Sequence, residues 1–177
     1  MRPPVQDVLE RQRDSGGEVS LPGAAGRMSP ETQVPVASVR IRGGSVFDLD
    51  TLSAPLQPLV GQRVAVSRLV EAAEQITQRY QDAGYPLSYA YLPGNNFQND
   101  TLTVIVVEGY IARTEIAVED TAVAQRVERL ASRMLEERPL TRETFERYTG
   151  LIERIPGARL SVKAVRRHYV ARRATRK

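Results

Sequence analysis

The stretch Leu102-Thr-Val-Ile-Val-Val-Glu-Gly-Tyr-Ile111 decides how the rest of the chain is interpreted. It is apolar almost throughout from Leu102 to Val107, which is typical of a central β-strand covered on at least one face. Glu108-Gly109 then predicts a structural corner, because glycine adopts backbone angles that other residues avoid. We therefore expect one folding unit to close at Gly109 and a second to begin at Tyr110.

The residues before this stretch predict the element order strand, helix, helix, strand, strand. Val39 and Ile41 alternate with Arg40 and Arg42, which indicates a half-buried strand over residues 36–42. A helix is predicted next over residues 49–59; Asp48 and Asp50 favour its start, and two prolines weaken the prediction. A second helix is capped by Ser67 and ends at Gly84. Strands are predicted over residues 87–92 and 102–107. The second helix carries an apolar stripe of Leu69, Ala73, Ile76 and Tyr80.

The residues after Gly109 repeat most of this order. Tyr110 to Val118 is a strand candidate, and Leu160 to Val165 is another. Between them lie a helix with the apolar stripe Val123, Val127, Leu130 and Met134, and a helix capped by Thr141 with the stripe Phe145, Tyr148, Ile152 and Ile155. Glu119 and Asp120 mark the start of the first of these two helices.

The predicted fold class is α+β, with two tandem units. The first unit has the order βααββ, and the second stops as βααβ. Each would form a small sheet with two helices on one face, and the complete unit would have a mixed three-stranded sheet. The predicted divisions are an N-terminal helix and linker over residues 1–34, units over 35–109 and 110–165, and a basic tail over 166–177.

Composition argues against an enzyme. The chain of 177 residues has no Cys, and its one His is His168. These counts disfavour thiolate or histidine metal sites and a nucleophile–histidine pair, and no glycine-rich phosphate loop is present. We therefore expect no cofactor, no metal and no small-molecule substrate. We find no apolar run long enough for a spanning helix and no signal peptide at the N-terminus.

The net charge of +4 comes from the end of the chain. Residues 159–177 hold eight of the 25 basic residues and no acidic residue, so residues 1–158 carry 17 basic against 21 acidic groups. An alternative function is therefore a small nucleic-acid- or anion-binding α+β domain that uses this tail. The acidic globular part, whose strands have no aromatic-basic RNA platform, argues against it.

Three runs resemble one family. The run from Tyr80 through Gly84-Tyr85 to Leu92-Pro93 is similar to part of the polypeptide-transport-associated (POTRA) domain, and Val107-Glu-Gly-Tyr-Ile111 resembles the strand that closes its first unit. Arg138-Pro-Leu-Thr141, with Ile155-Pro-Gly157, looks like the second unit of the same family. The resemblance is to the POTRA domains of two-partner-secretion outer-membrane transporters, of the haemolysin secretion and activation type.

The resemblance implies a periplasmic module at the outer membrane that handles a secreted adhesin or haemolysin-type polypeptide. An outer-membrane β-barrel, on the same or a separate chain, would be the other partner. Residues 5–14 stand where the family has a plug helix, and residues 15–35 stand where it has a linker.

The fold then suggests where a client would bind. If the third strand lies in the middle of the sheet, the second strand is left at an edge that offers unpaired backbone groups. An extended client would add there as a further strand. The candidate client-binding residues are those of the edge strand and of a groove beside it: Leu87, Ser88, Tyr89, Ala90, Tyr91, Leu92, Ile76 and Tyr80.

Overall fold

The computed structural model describes residues 28–93 and 97–165. The strands are β1 (Gln33–Val36), β2 (Ser38–Arg42), β3 (Gln62–Ala65), β4 (Tyr89–Tyr91), β5 (Phe97–Gln98), β6 (Thr101–Val107), β7 (Tyr110–Ala117) and β8 (Arg159–Val165). The helices are α1 (Leu49–Ser53), α2 (Val66–Asp82), α3 (Thr121–Glu136) and α4 (Arg142–Glu153), with a 3₁₀ turn over Gln57–Leu59. The α+β fold class is confirmed.

The main sheet of the first unit has the order β2-β6-β4, with β5 also pairing β6. β2 runs parallel to β6, and β4 runs antiparallel to it. The apolar run quoted above is therefore the central strand, as predicted. Its alternate residues Leu102, Val104 and Val106 are at most 2% exposed and pack against the helices, because side chains in a strand alternate between its two faces.

Helix α2 covers that face with the predicted stripe. Leu69, Ala73, Ile76 and Tyr80 are all buried in one cluster with the sheet. The helix ends at Asp82, two residues before Gly84, whose φ of 90° is readily adopted only by glycine. Ser67, however, is not the cap. The helix begins at Val66, so the cap position is Ala65, two residues earlier, and the N–H of Ser67 donates to the carbonyl oxygen of Pro30.

Two other predictions for the first unit differ from the structure. The strand expected over residues 36–42 is two strands, and β1 leaves the main sheet to pair with β3 in a separate two-stranded sheet. The helix expected over residues 49–59 ends at Ser53 and is followed by the 3₁₀ turn. Pro55 and Pro58 have no backbone N–H to continue an α-helix, which accounts for the break.

The second unit follows its predicted order. β7 pairs antiparallel with β8, and α3 and α4 pack with them around a second apolar cluster that includes Ile111, Val127, Met134 and Ile152. Asp120 caps α3 by accepting from the N–H of Val123, and Thr141 caps α4 by accepting from the N–H of Thr144. The N-terminal cap predicted at Thr141 is confirmed.

The two units meet at backbone atoms. The N–H of Leu140 donates to the carbonyl oxygen of Gly109, and the N–H of Arg142 donates to that of Gly84. The guanidinium of Arg138 lies 4.1 Å from the ring centroid of Tyr110. The end of α2 and the corner at Gly109 therefore contact the segment that leads into α4.

Some predictions fall outside the described residues. These are the helix over residues 5–14, most of the linker, the turn at Gly94-Asn95-Asn96 and the basic tail 166–177. Within the described residues, none of the helices combines the length and the apolar character needed to cross a bilayer.

Candidate functional site

Strand β4 lies at an edge of the main sheet. It has three residues, and within the described part of the chain it pairs with β6 alone: Tyr89 with Val107, Ala90 with Val106 and Tyr91 with Ile105. The sequence-based expectation that the third strand separates the first from the second is therefore confirmed. The strand is shorter than the predicted span of residues 87–92.

The outward backbone groups of Ala90 are already engaged. Its N–H donates to Oγ1 of Thr77 on α2 at 2.9 Å, and the same Oγ1 lies 3.4 Å from the carbonyl oxygen of Ala90. Oγ1 of Thr77 is also 3.3 Å from the carbonyl oxygen of Ala73. The edge therefore does not present Ala90 as an unbonded donor, contrary to the expectation of unpaired groups. A short edge strand covered by a neighbouring helix is one of the ways in which proteins avoid adventitious strand pairing.

The predicted groove is also not formed as expected. Ile76 is 1% exposed and Tyr80 0% exposed, because both belong to the stripe that packs α2 onto the sheet. Leu92 belongs to the same core. In this conformation a client at β4 would reach neither Ile76 nor Tyr80.

Tyr89 and Tyr91 lie on the opposite face of the sheet from the helices. Ala90 packs against the first core, and its neighbours in the strand point the other way. The two tyrosine rings are 6.0 Å apart between centroids and are tilted by 32°. Burial raises the pKa of the Tyr91 hydroxyl. Of the aromatic residues in the predicted site, Tyr89 and Tyr91 are the two that lie on the edge strand β4.

The first two predicted residues, Leu87 and Ser88, serve the junction between the units. Leu87 packs against the second apolar cluster. Ser88 is 1% exposed, and its hydroxyl oxygen accepts from the N–H of Gly109 at 3.2 Å. A Cβ added at Gly109 would collide with the backbone and Cβ of Leu87, so this corner requires glycine for close approach.

Glu108 is the centre of a hydrogen-bond network that sequence reasoning did not find. One of its carboxylate oxygens accepts from the N–H of Ser45, the N–H of Val46 and the hydroxyl of Tyr80, at 2.6, 2.8 and 2.8 Å. The other accepts from the Ser45 hydroxyl at 2.6 Å. Glu108 was interpreted as part of a structural corner, and its contacts are structural.

Burial favours the neutral forms of both groups in this pair. It would raise the pKa of the Glu108 carboxyl, but the bonds from Ser45, Val46 and Tyr80 hold that pKa below its ordinary value. Burial, followed by the bond to Glu108, raises the pKa of the Tyr80 hydroxyl. The carboxylate is thus ionised and the phenol neutral at neutral pH.

The described residues contain no group of three or more His, Cys, Asp or Glu side chains arranged to hold a metal ion. The residue that sequence reasoning missed at the edge is Thr77. A β-branched hydroxyl residue in a helix interior has low helix propensity and often bonds to backbone, and that is the signal by which it could have been found.

The fold of the chain is similar to that of a solved protein structure. The chain superposes on CdiB from Escherichia coli with a TM-score of 0.56 at 20% sequence identity. The match covers 91% of this chain and 34% of CdiB, so the chain spans about a third of that protein.

Residues 34–109 match the family model described as POTRA domain, ShlB-type. This match confirms the sequence-based recognition of a POTRA domain over these residues. A search of the curated proteins found no match to the chain.

Proposed function

We propose that this chain is a periplasmic polypeptide-transport-associated module that holds an extended secreted client by β-augmentation. The client would be an adhesin or haemolysin-type polypeptide on its way to an outer-membrane β-barrel. The POTRA match over residues 34–109 is the observation that carries the proposal, because it ties this part of the chain to a family of transport domains. The family match also supports the periplasmic location that we propose.

We also propose the division of the chain into residues 1–34, 35–109, 110–165 and 166–177. Support comes from the two separate apolar clusters, whose buried residues lie before and after Gly109 in the sequence, and from the family match, which ends at Gly109. In this division the client would bind the first unit.

The β4 edge supports a weak and reversible mode of capture. A client strand would replace the Thr77 hydroxyl as partner of the Ala90 N–H and C=O groups. One hydrogen bond would be exchanged for another, so the net gain would be small, and a hydrogen bond in a protein contributes only about 1 kcal/mol in any case. A transport module needs that property, because it must release what it binds.

Amide chemical shifts of the ¹⁵N-labelled chain test the proposal. The probe is an eight-residue peptide of alternating Thr and Val with a Lys at each end. We expect it to shift the amide of Ala90 and to bind more tightly to Thr77→Val, in which the competing hydroxyl is gone. Thr77→Ser keeps the hydroxyl and should bind as the parent does. Binding without any change at residues 89–91, or equal affinity of all three proteins, would remove β4 as the client edge.

The alternative function, nucleic-acid or anion binding by the basic tail, rests on residues 166–177, which lie outside the described part of the chain. It stays a prediction. Loss of salt-sensitive oligonucleotide binding on deletion of those residues would support it.

A further inference from the structure

The outer edge of β2 differs from that of β4 in its backbone partners. The N–H of Ser38 bonds to the carbonyl oxygen of Asp100 at 3.4 Å, in a parallel register that sets Ser38 opposite Thr101. Ser38, Arg40 and Arg42 therefore direct their backbone groups toward β6. Val39 and Ile41 direct theirs outward, since successive residues alternate in a ladder. Within residues 28–93 and 97–165, no hydrogen bond engages those outward groups.

Two arginines stand beside this edge. Arg40 and Arg42 point to the sheet face away from the helices, because the intervening Ile41 packs against the core. Both are exposed, and neither forms an ion pair with another residue of the described part of the chain. They line a shallow depression together with Asn99, Thr101 and Thr103.

The charge is unevenly distributed along β2. The exposed Asp100 lies beside its first residues, where its carbonyl oxygen also accepts from the N–H of Ala37 at 2.8 Å. The positive end is therefore the Arg40–Arg42 end. Residues 1–158 are net negative, so this pair of cations is a local exception in an acidic domain.

A strand added antiparallel to β2 would bring its side chains close to both arginines. Arg40 and Arg42 occupy the positions whose own backbone groups face away from the new strand. Residues directly opposite at such positions are the closer pairs in an antiparallel ladder, with Cβ atoms about 4.5–5.5 Å apart. Acidic residues two apart on the added strand would each face one guanidinium.

From these observations we infer that the β2 edge is a second binding edge, which accepts an extended peptide with acidic residues at alternate positions opposite Arg40 and Arg42. A peptide is the partner because the edge offers N–H and C=O groups in ladder order, which nucleic acid does not match. The inference does not depend on client capture at β4. It concerns another strand, and its test reads different amides.

The probe is a capped eight-residue peptide of alternating Thr and Glu, added to the ¹⁵N-labelled full chain. We expect shifts at the amides of Val39 and Ile41 and slower hydrogen exchange there. The counterpart with Lys in place of Glu should bind at least about fivefold more weakly, since it places like charges opposite the arginines. A Thr-Glu peptide N-methylated at alternate residues should lose binding, because it cannot complete the ladder.

The matched protein variants are Arg40→Glu/Arg42→Glu and Arg68→Glu. The double variant should weaken Thr-Glu binding at least about fivefold, and Arg40→Gln/Arg42→Gln should weaken it less. Arg68 is an exposed arginine on α2, which packs on the other face of the sheet from Arg40 and Arg42, so its reversal should leave the affinity within about twofold.

Several results would overturn the inference. The first is that the Thr-Glu peptide does not bind, or binds the double variant as tightly as the parent chain. The second is that it shifts the amides of residues 89–91 but not those of Val39 and Ile41. The third is that the N-methylated peptide binds as tightly as the unmethylated one. Displacement of the peptide by a ten-residue oligothymidylate of equal affinity would also overturn it, since that would define a general anion surface. Peptide binding at β4 without binding at β2 would overturn this inference alone, and binding at β2 without binding at β4 would overturn the proposed client edge alone.

Discussion

Tyr80 donates its hydroxyl to Oε1 of Glu108 at 2.8 Å, across the interface between α2 and the end of β6. The phenol ring is fully buried and lies edge-on to Phe47, with centroids 4.9 Å apart. The bond therefore joins the core of the first unit to the corner at which the second unit begins. It also connects two of the sequence runs on which the POTRA resemblance was based.

Loss of this bond should destabilise the chain to different extents depending on which partner is changed. Tyr80→Phe removes the donor, while Ser45 and Val46 still satisfy the carboxylate, and we expect a cost of about 1 kcal/mol. Glu108→Ala leaves a buried hydroxyl and the loop amides without their acceptor, and we expect a loss of about 2–4 kcal/mol. Urea unfolding followed by circular dichroism measures both. A larger loss for Tyr80→Phe than for Glu108→Ala would contradict the network.

The stability of the fold should depend on pH through Glu108. Because the pKa of its carboxyl is lower in the folded chain, the stabilisation is fully present above the unfolded-state pKa. It is lost as the pH falls through the folded-state pKa, so the free energy of unfolding should decrease as the pH drops below the ordinary glutamate pKa of about 4.3. Urea midpoints measured on both sides of this pH for the parent and Glu108→Gln test this. A parallel decline in the two proteins would mean that Glu108 is not the source.

Two glycines with different surroundings give a matched pair of substitutions. Gly109→Ala should destabilise the chain by about 1–3 kcal/mol, because the new Cβ would overlap the backbone of Leu87. Gly150 lies within α4 with open space where a Cβ would stand, so Gly150→Ala should stabilise by about 0.5–1 kcal/mol. Thermal unfolding of both variants provides the comparison. Similar effects of the two substitutions would show that the corner tolerates a side chain.

The hold of Thr77 on the edge strand is measurable without any client. Thr77→Val keeps the shape of the side chain but removes the acceptor of the Ala90 N–H. We expect the amide of Ala90 to exchange several-fold faster with solvent, in line with the loss of about 1 kcal/mol of local stability. Thr77→Ser is the control and should protect Ala90 as the parent does. Unchanged exchange in Thr77→Val would mean that the hydroxyl does not protect this edge.

Much of the fold was predictable because its strongest signals are periodic. The stripes on α2, α3 and α4 and the apolar run of β6 follow from side chains that need burial, and these elements were predicted within one or two residues at most ends. The cap at Thr141 was predictable because capping is local. The split of the first predicted strand at Ala37 was not predictable. It occurs because β1 pairs with β3, and that pairing depends on a strand distant in the sequence.

The candidate site was less predictable for the same physical reason. A sequence identifies Tyr89, Ala90 and Tyr91 as a strand, and the element order places that strand at an edge. It does not show which way the N–H of Ala90 points, and that direction determines whether Thr77 is bonded to it. Burial of Ile76 and Tyr80 followed from their stripe, but assigning them to a groove overlooked that one side chain cannot both fill the core and line an open surface.

The bonds between Leu140 and Gly109 and between Arg142 and Gly84 use only main-chain atoms. Replacement of the Leu140 or Arg142 side chain leaves the same donors in place. The orientation of one unit relative to the other is therefore partly insulated from sequence divergence. Substitutions elsewhere on the surface can therefore accumulate while these two contacts keep the two units in register.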